Sequence, residues 1–89
     1  MKDIKNLSET VKNIDTTAEI ETFFKELLTE SELETLSKRW RILEMLKNGH
    51  TQRDIAKTLQ VSLCKVTRGA KIMKDKNSIL AKYLIERNM

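Results

Sequence analysis

TQRDIAKTLQVSLCKVTRG, residues 51–69, is the stretch on which the fold turns. Counted from Gln52, its fourth, fifth, eighth, tenth and fifteenth residues are Ile55, Ala56, Leu59, Val61 and Val66, all of them apolar. Two helices that cross steeply over a turn of three or four residues need that set, with a small residue where the backbones come closest. Thr51 stands where it caps the first helix, with Asp54 in the first turn, and Ser62 where it caps the second. The ninth residue, where glycine ordinarily supplies a left-handed backbone, is Gln60. That departure either costs about 1 kcal/mol of strain or reshapes the turn.

The second helix then turns Ser62, Leu63, Cys64, Lys65, Thr67, Arg68 and Lys71 outward, hydroxyls and cations without a carboxylate. An ordinary solvated helix face mixes signs to form i,i+4 pairs. A face laid on phosphates and base edges leaves acids out. The pattern implies a DNA-reading helix-turn-helix, and the alternative is two plain amphipathic helices of a small bundle.

Charge along the chain points the same way. Residues 1–35 carry four lysines against nine acidic groups, a balance of −5, and residues 36–89 carry thirteen Lys/Arg against four acids, a balance of +9. Such segregation is the footprint of a polyanion binder, because neutralising phosphates releases condensed counterions. Two solvated faces of opposite sign are the bland alternative.

With 89 residues, 39% of them hydrophobic, two glycines and no proline, the chain lacks the turn chemistry of a many-stranded sheet and is expected to be one all-helical domain. Punctuation comes from caps. Ile4, Leu7, Val11 and Ile14 give a helix over 3–14, and Thr16 or Thr17 caps a second over 18–28 with Ile20, Phe23, Phe24, Leu27 and Leu28 on its face. Thr29 and Glu32 have capping-box spacing and open a long helix through Leu33, Leu36, Trp40, Leu43 and Leu46 that ends at Asn48-Gly49. Asn77-Ser78 opens a last helix over 78–88 with Ile79, Leu80, Tyr83 and Leu84. The expected division is 1–48 for dimerisation, 51–73 for the helix-turn-helix and 78–88 for the C-terminal helix.

One cysteine and one histidine make neither an intrachain disulfide nor a soft-ligand metal site, so no metal is expected. MKDIKNLSET has no apolar core of a signal peptide and no apolar run reaches the roughly 20 residues of a membrane span, which implies a cytoplasmic protein with no membrane partner. No carboxylate pair, Cys-His arrangement or phosphate-binding glycine loop supports catalysis. His50 reads as a loop residue.

Residues 28–74, LTESELETLSKRWRILEMLKNGHTQRDIAKTLQVSLCKVTRGAKIMK, resemble the tryptophan repressor family, which includes Trp-repressor-like proteins. The shared marks are LT opening a helix, R-x-R at Arg39 and Arg41, the QRD entry to the helix-turn-helix, and TRG at 67–69 in its second helix. The resemblance covers about half the chain, and the flanking helices agree in placement. It implies an intertwined all-α homodimer of about six helices per chain. Two recognition helices would then sit about one DNA turn, near 34 Å, apart on a pseudo-palindromic double-stranded operator.

It further implies residue roles. Arg53, Leu63, Cys64, Lys65 and Thr67 fall at base-reading positions, Gln52, Lys71 and Lys74 toward the backbone, and Arg68 at a phosphate, with Ser62 also among the DNA-binding residues. Arg53 is the candidate for a bidentate guanine contact, the alternative being a surface arginine beside Asp54. Cys64 is read as a small contact residue, with oxidant sensing as the other option. Members that respond to L-tryptophan hold its indole between two arginines, here Arg39 and Arg68, with Leu28 and Thr29 at the amino-acid end and Leu43, Gly69 and Ile72 around the ring. For Arg39 the alternative is a phosphate contact or a surface position. Trp40 beside it is read as core or dimer interface rather than as a lid.

The chain departs from the family pattern at three points. Ile72 replaces a small hydroxyl residue near the ligand's amino group, Glu26 replaces an apolar residue, and the turn before Thr51 is shorter, GHTQ. The leading reading is a dimeric, sequence-specific repressor, with L-tryptophan or a related small molecule as the candidate corepressor. The others are a ligand-independent DNA-binding regulator and a helical adaptor for an acidic protein.

Overall fold

A computed structural model of the chain describes residues 1–84, which form six α-helices and no strand. They are α1 (Lys2–Lys12), α2 (Thr17–Leu27), α3 (Glu30–Lys47), α4 (Gln52–Leu59), α5 (Leu63–Lys74) and α6 (Ile79–Tyr83). By contacts the chain separates into two compact units, Met1–Glu34 and Thr35–Met89.

Each helix start in the N-terminal unit after α1 is capped by a threonine. The Glu19 amide donates to Thr16 Oγ1 (3.1 Å), which makes Thr16, rather than Thr17, the cap of α2. At α3 the bonding is reciprocal: the Glu32 amide donates to Thr29 Oγ1 (3.1 Å) and the Thr29 amide to Glu32 Oε1 (2.9 Å). That is the capping box read from TESE. α1 stops at Lys12, two residues short of the expected end, because the Asn13 and Ile14 amides fold back onto the Thr10 and Val11 carbonyls. Neither α1 nor α2 holds a buried residue.

The core of the second unit is small and sharply defined. Ile42 and Met45 of α3, Ile55 of α4 and Val66 of α5 are buried together, Ile55 and Val66 completely, with Leu46, Ala56, Leu59 and Val61 packed around them. This shifts the interior of α3 from the expected stripe. Leu36 and Trp40 are exposed at 44% and 38%, whereas Ile42 and Met45, which that stripe omits, carry the packing. α4 and α5 dock on the side of α3 that holds Ile42 and Met45, a choice that helical periodicity in α3 alone does not make.

α3 ends as its glycine requires. Gly49 has φ +88°, the Gly49 amide donates to the Leu46 carbonyl, and the His50 amide to the Met45 carbonyl (3.1 Å each). This paired 5→2 and 6→1 pattern is the left-handed C-terminal motif that satisfies the last carbonyls of a helix. α6 is capped by Ser78, whose Oγ accepts from the Ala81 amide, and Leu84 after it is extended and buried. Of the expected 78–88 helix, residues 85–88 lie outside those described.

Candidate nucleic-acid interface and ligand cleft

The geometry of the helix-turn-helix follows from its two ends and its turn. The Asp54 amide donates to Thr51 Oγ1 (3.2 Å), starting α4, and the Lys65 amide to Ser62 Oγ (3.4 Å), starting α5. Between them Gln60 sits at φ 54°, ψ 48°, the left-handed region, with its own amide donating to the Lys57 carbonyl and that of Val61 to the Ala56 carbonyl. The turn thus keeps the form a glycine would allow, and the strain falls on Gln60. The buried Ile55 and Val66 then lock α4 to α5, and the Thr67 hydroxyl donates to Gln52 Oε1 (2.9 Å) across the pair.

This frame leaves one side of α5 bare. Ser62, Leu63, Cys64, Lys65, Thr67, Arg68, Lys71 and Lys74 are exposed, as is Arg53 on α4, while Gln52 is half-buried. Leu63, Cys64, Thr67, Arg68 and Lys71 together line a shallow depression. The first turn of α5 holds no acidic residue, and its last turn adds Lys71 and Lys74. A convex helix bearing only cations, hydroxyls and small apolar groups fits a duplex groove between phosphate rows.

Behind this face lies a cleft of about 240 Å³ lined by Arg39, Ile42 and Leu43 of α3, Lys65, Arg68, Gly69 and Ile72 of α5, and Leu80 of α6. Arg39, Leu43, Arg68, Gly69 and Ile72, all singled out from the sequence, come together here although α3 and α5 are far apart in the chain. Ile42, Lys65 and Leu80 were not anticipated as lining residues. Ile42 stands one turn along α3 from Arg39, a spacing that could have flagged it, whereas Leu80 arrives on a separate helix and leaves no local signal. Leu28 and Thr29 belong to the N-terminal unit, where Thr29 takes part in the α3 capping box.

Gly69 has a packing role besides. A Cβ built on it would meet Ile42 Cγ2 at 3.1 Å and Leu46 Cδ1 at 3.4 Å, so the missing side chain lets α5 approach α3 closely. Among the described residues no ion pair engages Arg39, Lys65 or Arg68, so their charge is uncompensated within the cleft. Among the described residues no group of His, Cys, Asp or Glu could hold a metal ion, and no helix is long and apolar enough to cross a membrane.

The chain matches the family described as Trp repressor protein over residues 2–88. It is 41% identical over 64 residues to proteins named Trp operon repressor homolog from Xylella fastidiosa strains M23 and Temecula1, an alignment spanning 71% of this chain and 70% of each relative. No solved structure gives a significant match. A capped helix-turn-helix with an acid-free recognition face and a family match along nearly its whole length place this chain in the Trp repressor family of DNA-binding transcriptional repressors.

Proposed function

We propose that the chain acts as a homodimer that lays α5 of each protomer into the major groove of a pseudo-palindromic operator and blocks transcription there. The observation that carries this reading is the exposed, acid-free face of α5, held by the buried cluster that Ile55 of α4 and Val66 of α5 share and by a capped turn. Lys65, Thr67, Leu63 and Cys64 with Arg53 are the proposed base readers. Ser62, Gln52, Arg68, Lys71 and Lys74 are the proposed backbone contacts.

Dimerisation has its own support. Every buried side chain among the described residues lies at or after Ile42. The preceding 41 positions hold Leu7, Val11, Ile20, Phe23, Phe24, Leu27, Leu33, Leu36 and Trp40, none of them buried. Short helices gain most of their stability from packing an apolar face, so these need a partner surface. A second copy of the chain, 1–48 against 1–48, supplies it at the cost of no new sequence.

A small molecule seated between Arg39 and Arg68 is the proposed corepressor, and L-tryptophan is the one the family implies. It regulates only if it binds the operator-competent arrangement better than the other. The site of action is the cytoplasm, on double-stranded DNA, and catalysis plays no part.

Selection of bound sites from random duplex DNA, with and without L-tryptophan, tests the reading. The expected result is a two-fold motif with half-sites about one helical turn apart, enriched more strongly with ligand. Enrichment independent of L-tryptophan favours the ligand-independent regulator. A protein without DNA affinity at about 100 mM salt would be the adaptor instead.

A further inference from the structure

Two hydroxyls on the exposed side of α5 are left with opposite chemistry by the hydrogen bonds they make. Ser62 Oγ accepts from the Lys65 amide (3.4 Å), so its own proton remains to be given away. Thr67 does the reverse. Its hydroxyl donates to Gln52 Oε1 at 2.9 Å, a bond between side chains fifteen residues apart that ties α5 to the first residue of α4. A hydroxyl has one proton and two acceptor lone pairs, so Thr67 keeps acceptor capacity alone. Ile55, one turn on from Gln52, and Val66, next to Thr67, are completely buried in one cluster, which holds the two helices at the distance this bond spans.

We infer that Gln52 sets the base preference of Thr67: by taking the hydroxyl proton it leaves Thr67 to read an amino group, adenine N6 or cytosine N4, in the major groove. The inference rests on the reading of α5 as the DNA-reading helix and names what one of its side chains recognises. Phosphate oxygens only accept, so a threonine without a free proton has no hydrogen bond to offer the DNA backbone. Among base edges in the major groove, adenine N6 and cytosine N4 donate, whereas guanine N7 and O6 and thymine O4 accept. Thr67 is exposed and supplies the only side-chain oxygen in the shallow depression that it lines with Leu63, Cys64, Arg68 and Lys71. Arg68 and Lys71 there are donors only, which leaves the oxygen of Thr67 to receive a base amino group.

The test is selection of bound sites from random duplex DNA, read position by position, with the full 89-residue protein and four variants. Neither side chain belongs to the buried core, so the variants should keep the fold, which thermal unfolding checks. In the parent, one position of the half-site should favour adenine or cytosine over guanine by about tenfold, the order of one mismatched base pair. Thr67→Val, which lacks the hydroxyl, should erase that preference at that position alone, and Thr67→Ser, which keeps it, should retain it. Gln52→Ala returns the proton to Thr67, so guanine O6 becomes an acceptable partner and the ratio should fall to about twofold. Gln52→Glu still accepts the proton and should hold the ratio near about tenfold, while binding all sequences more weakly because it adds an acid to the face. The inference is overturned, with α5 still a DNA-reading helix, if no position disfavours guanine or if Thr67→Val or Gln52→Ala leaves the ratio intact. Loss of the ratio in Gln52→Glu to the extent seen in Gln52→Ala overturns it equally. A parent protein that enriches no motif overturns both readings.

Discussion

The hydroxyl of Thr67, midway along α5, donates a 2.9 Å hydrogen bond to Oε1 of Gln52, the first residue of α4. Both side chains belong to the proposed DNA face, so the bond couples the orientation of the reading helix to the helix that enters before it. It is a solvent-accessible neutral bond, which limits its net worth to about 0.5–1.5 kcal/mol.

A double-mutant cycle with Thr67→Val and Gln52→Ala should therefore show a coupling energy of about 0.5 kcal/mol in urea unfolding. Operator affinity should fall further than stability does, because α5 loses its lateral tie. Strict additivity of the two substitutions in unfolding would show that the bond does not hold α4 to α5.

Gln60 at φ 54° sits in a conformation that side chains other than glycine enter at a cost of about 1 kcal/mol. Gln60→Gly should raise stability by about 0.5 kcal/mol, the relieved strain being partly offset by the freer unfolded chain. Gln60→Val should lower it by more than about 1 kcal/mol. Thermal unfolding of the three proteins gives the order, and a Gly variant less stable than the parent would count against strain at this turn.

At Gly69 the outcome should depend on side-chain size. An alanine gains about 1 kcal/mol of helix propensity against a 3.1 Å approach to Ile42 Cγ2, so Gly69→Ala should change stability by under about 1 kcal/mol in either direction. Gly69→Val adds branching into the Leu43 and Leu46 side chains and should cost about 1–3 kcal/mol. Denaturant midpoints distinguish the two, and an unaffected valine variant would mean that α5 and α3 are not in close contact.

Lys65→Ala should weaken operator binding and relax preference at one base pair. Lys74→Ala should weaken all sequences alike and reduce the salt slope by about one. Competition binding across a salt series reads both effects. The same loss of specificity from the two substitutions would refute the docking in which the N-terminal part of α5 points into the groove.

How much of this was legible in the chain depends on the range of the interaction. The caps at Thr16, Thr29, Thr51, Ser62 and Ser78 each join a side chain to an amide three residues on, so a short window of sequence holds the whole interaction. The end of α1 was misplaced because Ile14 continues the apolar spacing past the point where the backbone at Asn13 has already turned. The helix-turn-helix pattern was readable for a related reason: Ile55, Ala56, Val61 and Val66 meet across a single turn, and their spacing is the contact.

The pairing of Arg39 with Arg68 came from resemblance, and the company they keep did not come from the sequence at all. Lys65 and Leu80 join the cleft only because α5 and α6 fold back on α3. Likewise the stripe through Leu33, Leu36 and Trp40 marked α3 as amphipathic without saying which flank the second unit would bury.

By itself, the sequence determined the helices, the caps at Thr29, Thr51, Ser62 and Ser78, and the left-handed end at Gly49, since each is settled by neighbours within a few residues, and it carried the separation of charge outright. Only the tertiary structure decided that Ile42 and Met45 form the core and that three cations, Arg39, Lys65 and Arg68, share one aliphatic cleft. Those facts depend on which helix faces close on one another, and that is settled by packing side chains distant in the chain to full density, a condition no local pattern records.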